Sequence, residues 1–472
     1  MTNVSFDLED SKDLDTLGSM GHLDLPDPGY YCRVLCSEQN RSEIASRHGI
    51  VFEDLASVEY SNLTFGGLLS RTRLHRVAFR DSEKRNLPLE LLLKVAHPGF
   101  RSTDISRRHH VELGESMNYQ YNQMRFWNVI GLPAPLVFDL SEGDHQGVVR
   151  YYLAMEFWDG NTHDLNVLAL NQYAKDTSQN GRDQRPFVDS EKDKIITSSL
   201  EAIGKFHVIG TKEARTRKIQ VFTPDNMYRY FVEDRGILYF DKYLKLKLGR
   251  NMDFTEEILD SFCQILLPFL EPFFMTEKNR YSQGDEYLHH FQYRHSNGHK
   301  VTGIFDADHA MMIRPEYSLA KLLTSHLLDL GFEQELGYVE SAFFSPNAPQ
   351  GERYLGLGSR RDTMKDYVLV SLATRLFDIG KRASHALRDD QVHTRIVTGL
   401  TFKPHKIEFP LKEYVPPSVR YPSINDSISV QIRALQDRLT RIEEGEFNDV
   451  LYPRDIEHVK GLYSFLTKNS LL

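Results

Sequence analysis

Cysteine is scarce in this chain, with only Cys32, Cys36 and Cys263 among 472 residues. They make no disulfide framework, and Cys32 and Cys36 have no further ligands beside them for a zinc site; a reducing compartment fits. Long apolar runs are missing too. The longest, Ile265-Leu266-Leu267-Pro268-Phe269-Leu270, is too short to cross a bilayer and leads into Glu271-Pro272, so it reads as buried helix and no membrane span is expected. There is no excess of positive charge. The net charge of −9 argues against a general nucleic-acid binder, which would carry a basic face. The opening residues are acidic and polar, the reverse of a secretory leader, and a cytoplasmic location is expected. No internal repeat is evident, and no Gly-x-Ser-x-Gly elbow presents a serine nucleophile.

What is present is a globular composition, 40% hydrophobic and 11% aromatic, suited to large cores. At ~150 residues per domain the length suggests about three structural units. The most informative stretch is Ser282-Gln283-Gly284-Asp285, followed by Gly303-Ile304-Phe305-Asp306-Ala307-Asp308. Between them, Phe291-Gln292-Tyr293 is β-prone, Ser296-Asn297-Gly298 is a turn signal, and Val301 to Phe305 is a second short strand. Such a hairpin brings Asp285 and Asp306 to one edge of a cleft. Phosphoryl transfer needs one carboxylate to orient the attacking hydroxyl and another to hold the metal on the phosphates. Taken alone, two loop aspartates flanking a hairpin are an ordinary arrangement.

Upstream features add to the pair. Leu89 to Ala96 is a β-rich run carrying Lys94, which could reach the α/β-phosphates of ATP from a buried strand. Gly66, Gly67 and Ser70 separate two strand-like runs and could supply backbone and hydroxyl donors over the phosphates. Val148 to Phe157 reads as a strand ending in a hinge at Glu156. Each has a bland alternative, since a strand lysine snorkels and Gly-Gly is a common hairpin. Four features in the right order are harder to dismiss.

With these residues in view, the chain resembles the aminoglycoside phosphotransferase and choline kinase-like group, over roughly residues 56 to 390. The family pattern His-Gly-Asp-x-His-x-x-Asn is similar to Gln283-Gly284-Asp285-Glu286-Tyr287-Leu288-His289-His290. Its Ile-Asp-Phe/Trp-Glu segment resembles Ile304-Phe305-Asp306-Ala307-Asp308. Its Asp-Pro-x-Tyr-Asp-Leu-Ala element resembles Arg314-Pro315-Glu316-Tyr317-Ser318-Leu319-Ala320. Ile203-Gly204-Lys205-Phe206-His207 and Gly131-Leu132-Pro133-Ala134-Pro135 are further matches.

The resemblance implies an α+β, bilobal protein-kinase-like fold, with a small β-rich N-lobe and a larger helical C-lobe. It implies an ATP-dependent phosphotransferase acting on a hydroxyl of a small molecule, with ATP and Mg²⁺ or Mn²⁺. Asp285 would orient the hydroxyl, Asp306 would bind the metal, and Asp308 would assist there or anchor the loop. An acidic chain could favour a cationic acceptor.

Departures from the pattern matter as well. Gln283 and Tyr287 replace histidines, and His290 stands at the metal-binding asparagine. An imidazole nitrogen suits softer ions than an amide oxygen does. Either the metal preference is altered, His290 has another role, or phosphoryl transfer is lost and the chain is a silent nucleotide-binding scaffold. The other histidines, His109, His110, His289, His295, His299 and His309, lack the spacing of a helical metal site. Glu115 is taken as the partner of Lys94, with Glu112 and Gln120 as alternatives.

Punctuation divides the chain into an N-terminal extension over 1–55, its first part mobile, an N-lobe over 56–156, a C-lobe over 157–390, and a strap and amphipathic helix over 391–472. Lys175 to Arg185 reads as an exposed loop. Ile196, Leu200, Ile203 and His207 share one helix face, and His207 would brace the catalytic loop. Ile428, Ile432, Leu435, Leu439 and Ile442 form a heptad seam that either docks on the C-lobe or pairs two copies in a homodimer.

Overall fold

The computed structural model describes residues 25–26, 28–50, 57–63, 72–80, 85–96, 113–145, 148–157, 189–221, 237–248, 252–274, 277–286, 290–294, 300–325, 330–344, 359–397 and 424–472. Gly66, Gly67 and Ser70 of the expected phosphate loop lie outside these residues. So do Tyr287, Leu288 and His289, the loop 175–185 and the strap before residue 424. The side chains of Glu115 and Asp308 are likewise outside what is described.

The chain divides into two compact units. The first, Met1–Gly114 with Val137–Phe157, is built on an antiparallel sheet. Two helices, Pro28–Leu35 (α1) and Glu38–His48 (α2), precede it. Ser37 caps the start of α2 by accepting from the Asn40 amide, and Gly49 ends it in the left-handed region at φ 67°. The strands are Ser57–Leu63 (β1), Thr72–Arg80 (β2), Leu91–Ala96 (β3), Val137–His145 (β4) and Val148–Glu156 (β5), in the order β1-β2-β3-β5-β4. In β3 the side chains alternate as a pleated strand requires: Leu91, Leu93 and Val95 are buried, while Leu92 and Lys94 sit on the other face. Lys94 stands opposite Leu74 on one side and Leu153 on the other.

The N-terminal helices are part of this unit. Tyr31, Leu35 and Ile44 are buried, and the Asn40 amide donates to the carbonyls of Val34 and Phe138. Tyr30 donates to Asp139 on β4. Glu156, expected at a hinge, is buried, and its carboxylate pairs with His48 at 2.9 Å and Arg47 at 3.4 Å.

The second unit, Glu115–Leu136 with Trp158–Leu472, is helical. It contains Leu113–Val129 (α3), whose first two residues belong to the other unit, then Asp189–Lys205 (α4), Thr211–Arg217 (α5), Ile237–Leu248 (α6) and Met252–Phe274 (α7). Four short strands follow, Arg280–Ser282 (β6), Phe291–Arg294 (β7), Lys300–Ile304 (β8) and Met311–Ile313 (β9), pairing antiparallel as β6-β9 and β7-β8. The last helices are Pro315–Ser325 (α8), Phe332–Phe344 (α9), Arg360–Val397 (α10), Ile424–Glu443 (α11) and Pro453–Lys468 (α12). The apolar run at residues 265–270 lies in α7, where Leu266, Phe269 and Leu270 are buried as expected. Among the described residues no helix is long and apolar enough to cross a membrane.

The seam of α11 finds its partner within its own chain. Ile428, Ile432, Leu435, Leu439 and Ile442 are all buried, as docking requires, so the alternative of a homodimer through this helix has no exposed seam to use. Polar groups fix the register of this docking. Arg375 on α10 donates to Gln431 and to Glu335 at 2.6 Å each, and Arg438 on α11 pairs with the same Glu335. All four side chains are buried, and Tyr367 adds a donor to Glu335 at 3.0 Å.

Candidate active site

The loop after β6 is shaped by one glycine. Gly284 has φ +85°, and a Cβ there would stand 1.8 Å from the His309 carbonyl oxygen. Only glycine lets the two backbones approach this closely. The chain then turns so that Asp285, flanking the β7-β8 hairpin at one end, returns beside Asp306 at the other. The hairpin forms in the register that its sequence suggests, Phe291 opposite Ile304, with a bulge between Gln292 and Tyr293. Its base is closed by the Phe305 amide donating to the His290 carbonyl at 2.9 Å. The Gly131 to Pro135 segment also meets it, since the Ile304 amide donates to the Pro133 carbonyl at 2.7 Å.

Gln283, which stands where the resembled family has histidine, braces both aspartates. Its amide nitrogen donates to the carbonyls of Phe305 at 3.0 Å and Asp306 at 2.6 Å, while its oxygen accepts from the Asp285 amide at 2.9 Å. Asp306 sits in the left-handed region at φ 61°, ψ 75°, a conformation uncommon for a side chain other than glycine. Strain of this kind persists where surrounding bonds hold it, and the Gln283 clamp does so here.

Asp285, His290 and Asp306 come together, with one candidate ligand atom from each within 4.8 Å of the others. His290 is the informative member. Its Nδ1 lies 2.7 Å from the Asp285 carbonyl oxygen, which can only accept, so Nδ1 carries the proton. In the neutral ring the lone pair is then on Nε2, which faces Asp306 Oδ2 at 3.3 Å. Two electron-rich atoms at that distance call for a cation between or beside them, or for a protonated ring. Two carboxylates and an imidazole fit a divalent ion such as Mg²⁺ or Mn²⁺, with the nitrogen favouring the latter. Gln120 on α3 donates to Asp306 Oδ1 at 3.4 Å.

Asp285 has a partner that the motif comparison did not single out. Lys321 Nζ on α8 lies 2.5 Å from Asp285 Oδ1 and 2.9 Å from the Gly284 carbonyl oxygen. Burial pushes the Asp285 carboxyl up, but Lys321, His309 and His290 outweigh it and hold the group well below the usual carboxylate range. Ser318 and Lys321 lie three apart on one helix face, but that spacing alone does not name Asp285 as the partner.

Beneath the loop runs a buried polar chain. Ser282 bonds Glu286, whose carboxylate also accepts from the Gly284 amide at 2.9 Å. Ser282 Oγ meets Ser318 Oγ at 2.9 Å, and Ser318 Oγ meets His207 Nε2 at 3.3 Å. His207 therefore braces the loop, as its helix face suggested. Burial, and then Arg280, lower its pKa to about 3, so it stays neutral.

No family model matches the chain, and no curated protein matches it in sequence. Solved structures similar to it include the GDP and kanamycin complex of APH(2")-IIia, at 12% identity over 86% of this chain and 99% of that one, TM-score 0.40. A microcompartment-associated aminopropanol kinase is 11% identical over 85% and 97%, TM-score 0.40. An ethanolamine kinase of Plasmodium vivax is 10% identical over 85% and 96%, TM-score 0.39. All three likenesses are at low identity and low TM-score.

Proposed function

We propose that the chain is an ATP-dependent phosphotransferase that phosphorylates a hydroxyl of a small molecule. The observation that carries this reading is the Asp285, His290 and Asp306 cluster, with Asp285 held ionised by Lys321 beside two groups suited to a divalent ion. A carboxylate held so far below its ordinary range is a poor store for a proton, so Asp285 orients the acceptor hydroxyl by accepting its hydrogen bond.

Asp306 and His290 would hold Mg²⁺ or Mn²⁺, with Asp308 beside them. When bound, such an ion neutralises charge on the phosphates. Lys94, on β3, would hold the α/β-phosphates, with Glu115 orienting it. Gly66, Gly67 and Ser70 would cover the phosphates. Glu156 would mark the base-binding edge through its backbone, because its side chain is engaged by Arg47 and His48. The net charge of −9 suits a cationic acceptor, and the chain would work in the cytoplasm.

Nucleotide binding tests this reading. ATP with Mg²⁺ or Mn²⁺ should raise the melting temperature, by about 2.7 kcal/mol of stability at a hundredfold excess over the dissociation constant. Lys94→Ala should weaken the shift. No shift with any divalent metal, in folded protein, contradicts the proposal.

A further inference from the structure

Three acidic or imidazole groups converge on one point, and one of the two carboxylates, Asp285, carries a fixed ammonium of its own. This deepens the proposed phosphotransferase reading and rests on it for the role of Asp285. The Asp285 carboxylate is divided: Oδ1 is taken by Lys321 at 2.5 Å, and Oδ2 faces His290 Nδ1 at 3.8 Å. That Nδ1 already bonds the Asp285 carbonyl at 2.7 Å. Lys321 is buried, lies 2.9 Å from the Gly284 carbonyl oxygen, and has the Tyr317 ring 6.0 Å from its nitrogen, so it is built into the loop and is not a passing surface contact.

A charge balance shows what this pair does. Two ionised aspartates side by side would draw any divalent ion into both, and a carboxylate coordinated to metal is lost as an acceptor for a hydroxyl proton. A fixed ammonium on one of them cancels its charge and repels a second cation placed nearby. A buried ion pair is weak evidence for stability as such, because desolvation offsets the attraction. A role in partitioning the two carboxylates explains why the cation sits on Asp285 and not on Asp306.

We infer that Lys321 is a positioning residue that keeps Asp285 out of the metal's coordination sphere, reserving its carboxylate for the acceptor hydroxyl and leaving the ion to Asp306 and His290. Lys321 acts through Asp285 and touches no reacting atom.

The test is Mn²⁺ affinity of the full chain without nucleotide, read from the electron paramagnetic resonance signal of free Mn²⁺. Asp285→Ala combined with Lys321→Met removes the pair without leaving a lone buried charge. This double variant should keep the wild-type dissociation constant within about two-fold. A loss of about ten-fold or more means Asp285 is a ligand despite Lys321, and overturns the inference. Lys321→Met alone frees the carboxylate and should tighten Mn²⁺ by about ten-fold. Lys321→Arg keeps the charge and should restore the wild-type value.

Unchanged affinity in folded Lys321→Met also overturns the inference, as does failure of the wild-type chain to bind Mn²⁺. If Lys321→Met does not fold, the double variant decides. Because no step uses ATP or an acceptor, a chain that binds Mn²⁺ as stated but shows no nucleotide-dependent melting shift would sink the proposed function alone.

Discussion

Replacing Gly284 by alanine strikes the backbone on which the candidate site depends, and a second glycine supplies the control. Gly284 and Gly131 both hold positive φ, +85° and +73°. Alanine in that region costs roughly 1–2 kcal/mol through its Cβ. At Gly131 nothing lies within 4 Å of the new carbon, so this strain is the whole cost. At Gly284 the new carbon meets the His309 carbonyl oxygen at 1.8 Å and its carbon at 2.6 Å. Backbone cannot swing aside as a side chain does, and the forced shift adds roughly 1–3 kcal/mol on the scale of overpacking. Gly131→Ala should therefore lose about 1 kcal/mol in urea unfolding at neutral pH, and Gly284→Ala about 3 kcal/mol. The shift also pulls the loop from the Gln283 clamp, so Mn²⁺ affinity should fall in Gly284→Ala and hold in Gly131→Ala. Equal losses of stability in the two variants would refute this reasoning.

Three further predictions concern other parts of the site and its support. His290→Asn exchanges a nitrogen ligand for an oxygen and should move metal preference from Mn²⁺ towards Mg²⁺, read from the metal dependence of the ATP-induced melting shift; an unchanged preference leaves His290 as structure. His207 has its folded pKa depressed to about 3, so its contribution is complete above the unfolded value near ~6.5 and is lost as pH falls towards 3. At pH 5 that is roughly 2 kcal/mol less stability than at pH 7, and His207→Gln should flatten this part of the slope; the same slope in both proteins would remove His207 as its source. Glu335→Gln leaves Arg375 and Arg438 buried without a counter-charge and should cost roughly 3–5 kcal/mol in denaturant unfolding, whereas a loss under 1 kcal/mol would mean the triad is not coupled.

Local pattern made much of this architecture legible. The β-prone runs around Phe291 and Val301 form the expected hairpin, and its position between Asp285 and Asp306 is what makes them neighbours. The alternation in β3 put Lys94 on a strand, and the spacing of Ile196, Leu200, Ile203 and His207 gave a buried face. The heptad seam of α11 was visible as well, but a seam does not name its partner, and here it docks within the chain.

What sequence hid was long-range polar pairing. Lys321 looks like any helix lysine until the fold carries it to Asp285, and Glu335, Arg375 and Arg438 look like surface charges until α9, α10 and α11 close on them. Gln283 stands where the resembled family has histidine, one of the departures that motivate the silent-scaffold alternative. Its amide, having both a donor and an acceptor, ties together three backbone groups of the loop. The docking of α1 was unreadable for a similar reason, since Tyr30 and Tyr31 find their partners on distant strands.

Transfer of label is the most direct test of the central claim. The full chain would be incubated with ATP radiolabelled in its γ-phosphate, a divalent metal and a cell metabolite extract, beside Asp285→Asn under the same conditions. The account predicts a labelled small molecule from the wild-type chain. It also predicts that Asp285→Asn makes the same compound at least roughly 10²-fold more slowly while keeping its ATP-dependent melting shift. A labelled product formed equally fast by both proteins, or no labelled product from a wild-type chain that binds ATP and metal, would contradict it.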